Sequence, residues 1–140
     1  MDPAVFRAVL EAVPYARFLG LEVEVRDGLP LAVMPFADRL IGNPMLPALH
    51  GGATAAFLEL AAAAGLAAAD PARRLPKPIN VSLAYLRSGR PQAVRAAVRV
   101  RKLGRRVAWV EAEAWQDDPA APIAILTAHF LLPRTREPPA

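Results

Sequence analysis

Residues 51–69 read Gly-Gly-Ala-Thr-Ala-Ala-Phe-Leu-Glu-Leu-Ala-Ala-Ala-Ala-Gly-Leu-Ala-Ala-Ala. Alanine and leucine are the strongest helix formers, so this stretch is expected to be one long helix. A helix that is apolar on every side is normally buried, so the rest of the chain must enclose it. One charged residue, Glu59, interrupts the run near its middle. A buried carboxylate without a partner is costly, so it is neutralised, paired or put to use. That makes Glu59 the residue most informative about function.

The flanking sequence supplies the enclosure. Asp2 is a plausible N-cap with Pro3 at the first helical position, and Val5, Phe6, Val9, Leu10 and Val13 recur at helical spacing over 3–13. Leu21, Val23 and Val25 alternate with charged residues as in a half-buried strand, and Asp27-Gly28 signals a hairpin turn. The returning strand, 29–36, carries Pro30 and Pro35, which suggests an edge or irregular position. Residues 37–49 are expected to form a loop, and Asp70-Pro71 to end the long helix. Residues 81–85, 94–101 and 107–115 alternate as strands, and 123–132 is apolar on both faces, as in a central strand. Short turns between these four strands predict antiparallel pairing. The expected architecture is α+β: a curved antiparallel sheet around one buried helix, in a single domain over 1–140 with a loose tail over 133–140.

Composition removes several function classes. With 140 residues and 54% hydrophobic content the chain is sized for one ordinary core. It has no Cys, which excludes disulfides, cysteine metal sites and a thiol nucleophile. Two His without a ligand-spaced cluster give no expectation of a metal. No basic flank precedes an apolar stretch at the N-terminus, so no signal peptide is expected, and a cytoplasmic location is. The 51–69 run is long enough to span a membrane, but a central acid opposes insertion by roughly 2.5–3.5 kcal/mol, so no membrane association is expected. The net charge of +4 rests on 17 basic residues, nearly all Arg. Aromatics make up only 6% and no reading helix is evident, so the charge does not predict nucleic-acid binding.

His50-Gly51-Gly52, followed by an apolar helix with a carboxylate at Glu59, resembles the hotdog-fold acyl-CoA thioesterases of the PaaI and 4-hydroxybenzoyl-CoA thioesterase type. The stretches 79–87 (Ile-Asn-Val-Ser-Leu-Ala-Tyr-Leu-Arg) and 104–112 (Gly-Arg-Arg-Val-Ala-Trp-Val-Glu-Ala) are similar to strands of that family, and the resemblance covers roughly 17–132. It implies hydrolysis of an acyl- or aryl-CoA thioester in a homodimer or homotetramer. CoA is then part of the substrate, and no separate cofactor is expected.

The residues fit that chemistry. A helix N-terminus offers free N–H groups and a positive dipole end, and two glycines there admit close approach. The Gly51 N–H is therefore placed to polarise a thioester carbonyl. Glu59 lies eight residues on, about 12 Å along the axis at the helical rise, too far to act on the same atom. The site is expected to join Gly51 of one subunit to Glu59 of another, with Glu59 as general base or nucleophile. His50 either contacts substrate or bonds local backbone. Asn43, Gly52, Phe57 and Leu58 are candidate substrate contacts, Asn43 being equally readable as a turn residue. Arg87, Arg90, Lys102, Arg105 and Arg106 are candidates for the CoA phosphates. Arg95, Arg99 and Arg101 are expected to face solvent, and His129 to be structural. Many relatives place a Ser or Thr just ahead of the strand that follows the helix. This chain has Pro76-Lys77-Pro78 there, which leaves open a domain that binds acyl-CoA without hydrolysing it. A hotdog dehydratase fits the His-Gly-Gly spacing less well.

Overall fold

The structure is a computed structural model that describes residues 1–135. The expected loose tail falls mostly on residues outside this range. The chain opens with helix α1 (Pro3–Ala12), whose first turn is capped by Asp2 Oδ1 accepting from the Ala4 N–H at 2.9 Å. A second, short helix α2 (Pro14–Phe18) follows. Proline at its first position presets the helical φ. Strands β1 (Glu22–Arg26) and β2 (Leu29–Met34) form a hairpin. Its two turn residues have positive φ, 51° at Asp27 and 76° at Gly28, the conformation that Asp-Gly accepts most readily. Residues 37–49 are not an open loop. They hold a 3₁₀ turn (Asp38–Leu40) and a small ladder of β3 (Ile41–Asn43) with β4 (Ala48–Leu49). Then come α3 (Gly51–Ala69), β5 (Lys77–Tyr85), β6 (Val94–Leu103), β7 (Val107–Trp115) and β8 (Ala124–Leu131).

The six long strands form one antiparallel sheet in the order β1-β2-β6-β7-β8-β5. Two expectations change here. First, β2 is internal despite Pro30, and β1 is the edge. Pro30 is tolerated because β6 pairs only with residues 32–34, beyond it. Second, β5 pairs with β8 rather than with its successor β6. Residues 86–93 therefore cross over the ends of β8 and β7, at the same end of the sheet as the start of α3. The free edge of β5 faces outward, and most of the strand is exposed.

The sheet's inner face is unusually fine-grained. Ala96 on β6, Ala108, Ala112 and Ala114 on β7, and Ala124 and Ala128 on β8 are all buried. Small side chains let the sheet lie close along α3, and one position takes this to its limit. A Cβ added at Gly65 would stand 2.5 Å from Val98 Cγ1 on β6, where the branched Val cannot swing aside. Gly65→Ala is expected to lower stability by about 1–2 kcal/mol, because overpacking outweighs the helix propensity gained. Urea unfolding of the two proteins measures this, and a stabilised variant would contradict the packing argument.

Enclosure of α3 is incomplete. Phe57, Leu58, Ala61, Ala62, Ala64 and Leu66 are fully buried, whereas Ala56, Glu59 and Ala63 are partly exposed and Gly52 is exposed. These four recur at i, i+4, i+7 and i+11, so they line one face. Among the described residues α3 is the one helix long and apolar enough to cross a membrane, and it is packed against the sheet instead.

Candidate active site at the start of the long helix

The first turn of α3 is tied down from three sides. The His50 N–H donates to the Leu40 carbonyl at 2.7 Å, and the Leu49 N–H donates to the Gly89 carbonyl on the crossover at 2.9 Å. Gly42 on β3 lies so close that a Cβ there would be 2.7 Å from His50 Cα. His50 is the N-cap: its Nδ1 accepts the Gly52 N–H at 2.9 Å, so this nitrogen carries no proton. The Ala53 and Thr54 N–H groups return to the His50 carbonyl. Of the four N–H groups that a helix start leaves without intrahelical partners, only that of Gly51 has no hydrogen bond among the described residues.

Gly51 borders a hollow of about 350 Å³ whose walls include Thr54, Tyr85, Arg87, Gly89 and Ile123. Thr54 is almost wholly buried, and Tyr85 is 56% exposed. The Tyr85 hydroxyl donates to the Gly51 carbonyl at 2.8 Å. Glu59 lies on the uncovered face of α3 and has no hydrogen bond or ion pair among the described residues. A free N–H and an unpaired carboxylate thus stand apart along one helix.

Residues 42–131 match the model of the acyl-CoA thioesterase N-terminal domain family. The chain belongs to that family. Its fold is the hotdog fold, as its structural neighbours confirm. A solved protein of Chromobacterium violaceum is 36% identical, with 96% of this chain and 94% of that one covered at a TM-score of 0.74. A phenylacetic acid degradation-related protein of Ralstonia eutropha shares the fold at 24% identity, covering 91% and 99% with a TM-score of 0.76. A Bacillus halodurans protein solved with CoA does so at 22% identity, covering 89% and 82% with a TM-score of 0.78. No sequence match was found among curated proteins.

Within this thioesterase domain the other candidate residues separate. Phe57 and Leu58, candidate substrate contacts, are 0% exposed and belong to the hydrophobic core of the single subunit. An all-apolar helix gives no polarity from which to orient them. Asn43 Oδ1 accepts the Met45 N–H at 3.0 Å, which makes it a turn residue beside the exposed Met45. The five basic candidates do not form one cluster. Arg87 and Arg90 sit on the crossover at the Gly51 end, Arg90 paired with Asp117. Lys102, Arg105 and Arg106 lie around the β6–β7 turn at the opposite end, where Arg106 Nε donates to the Leu132 carbonyl at 3.1 Å. Arg95 does not simply face solvent: it grips Glu24 through two nitrogens at 3.0 and 3.1 Å and holds that carboxyl below its ordinary range. Arg101 pairs with Glu111. His129 Nδ1 lies 2.9 Å from Asn80 Oδ1, stacked near Trp109 on the sheet face away from α3. Pro76-Lys77-Pro78 lies at the end of β5 remote from Gly51. Tyr85 and Thr54 were missed by sequence reasoning, because a strand-end Tyr and a helical Thr carry no local signal of what they border.

Proposed function

We propose that the chain hydrolyses an acyl-CoA thioester to the free acid and CoA. The observation that carries this reading is the free Gly51 N–H beside a hollow at a helix start. The thioester carbonyl oxygen takes that N–H, and the dipole end of α3 favours the negative charge that develops. Glu59 from a second subunit either removes a proton from water as it attacks the carbonyl carbon, or attacks first and is freed by water. In both routes the carbon–sulfur bond breaks and the CoA sulfur leaves with a proton. The two-subunit site is supported by the distance between Gly51 and Glu59, about 12 Å along the helix, by the uncovered face that holds Glu59, and by the free edge of β5. Arg87, which lines the Gly51 hollow, and Arg90, which lines the neighbouring hollow beside its partner Asp117, are suited to the phosphates of CoA.

The test is thiol release from a panel of aryl-, short-chain and long-chain acyl-CoAs by the purified protein. Release from at least one of them is expected. The absence of a Ser or Thr at 76–78 favours one alternative, a domain that binds acyl-CoA without turnover. Tight CoA binding by calorimetry with no thiol released across the panel would establish that alternative.

A further inference from the structure

We propose that Tyr85 is a positioning residue that fixes and masks the amide next to the oxyanion donor. The inference rests on the thioesterase reading of the site. The Gly51–Gly52 amide is held at both edges: its carbonyl accepts from the Tyr85 hydroxyl at 2.8 Å, and its N–H donates to His50 Nδ1 at 2.9 Å. Two successive glycines would otherwise leave this turn the most freely rotating point of the helix. The preceding amide, which carries the free Gly51 N–H, has its carbonyl held by the Ala53 and Thr54 N–H groups. Every neighbouring group is thereby occupied, and one N–H is left pointing out of a rigid frame.

Tyr85 also changes what the hollow presents to a substrate. Without its hydroxyl, the Gly51 carbonyl, which also takes the intrahelical bond of α3, would keep one lone pair unoccupied beside the hollow. With it, that lone pair is occupied. The ring explains the glycine as well. A Cβ at residue 51 would stand 3.3 Å from Tyr85 Cζ, tighter than ordinary contact, so ring and glycine fit as a pair.

Tyr85→Phe keeps the ring and removes the bond. Because Tyr85 is 56% exposed, the variant is expected to melt within about 2 °C of the parent, as surface changes do. Its kcat is expected to fall about tenfold with KM little changed, since the loss is confined to transition-state stabilisation. In the ¹⁵N–¹H spectrum of the substrate-free protein, the Gly51 amide signal should shift and broaden. An unaltered Gly51 signal overturns the proposal whatever the activity, and so does an unchanged kcat in an active enzyme. A perturbed Gly51 signal in a protein that hydrolyses no acyl-CoA leaves the clamp standing and removes the thioesterase reading.

Discussion

Glu59→Gln is expected to lower kcat by about a thousandfold, the order associated with removing a positioned base or nucleophile, while leaving the fold intact. Gln matches Glu in size, and Glu59 has no hydrogen bond or ion pair among the described residues that the change would break. Thermal melting should therefore stay near that of the parent while thiol release collapses. Full activity in the variant would remove Glu59 from the mechanism. Subunit mixing sharpens the experiment. A Gly51→Val subunit loses the donor end, because its side chain meets the Tyr85 ring, and a Glu59→Gln subunit loses the carboxylate end. Each alone is expected to be inactive, whereas a mixture should regain activity through sites that pair the intact Gly51 of one with the intact Glu59 of the other. No recovery on mixing would place both groups on the same chain, against the distance argument.

The largest expected effect on stability lies at the other end of the helix. Asp70, the C-cap of α3, is 2% exposed and accepts from the Ala72 N–H at 3.2 Å and the Arg74 N–H at 3.2 Å. It also accepts from Arg74 Nε at 2.8 Å and Nη2 at 3.2 Å, while Arg74 Nη1 reaches the Arg105 carbonyl at 2.7 Å. One carboxylate thus ends the helix, shapes the turn after it and ties both to the β6–β7 turn. Asp70→Ala strands a nearly buried guanidinium and two backbone donors, a loss of about 3 kcal/mol. The hydrogen bond from Arg74 holds the Asp70 carboxyl below its ordinary range, against the opposing effect of burial. Its folded value lies below the unfolded one, so the contribution is complete above about pH 4 and fades as pH falls through the folded value. Stability curves of parent and variant should therefore stay apart at neutral pH and converge in acid. A constant gap down to the acid transition would show that the ionised pair is not the cause. Activity per folded molecule should be unchanged, because Asp70 is remote from Gly51.

The parts of the fold legible in the sequence were those with a local period. The alternation in β6 and β7, the Asp-Gly turn and the limits of α3 all follow from short-range pattern, and the structure reproduces them. Pairing between distant segments was not legible. Nothing in residues 77–85 says that β5 will join β8 rather than β6, and that choice places Tyr85 and the crossover beside the helix start. The same limit applied to the basic residues. Turns and strand ends look alike in sequence, and the sheet sent them to opposite ends. The donor and carboxylate of the candidate site were visible because each broke a pattern, two glycines at a helix start and an acid in an alanine run. Tyr85 broke none.

The close seat of Gly65 against Val98 also has a rotational meaning. A helix with alanine on nearly every side could roll about its axis with little change in what it hides from water. Polarity does not fix its angle, so shape must. The notch at Gly65 seats against Val98 of β6, and a roll would bring a neighbouring side chain toward Val98. Glu59, less than two turns away on the same rigid rod, takes its bearing from that notch. Gly65 thus acts with the tethers at both helix ends to set the direction in which the carboxylate faces.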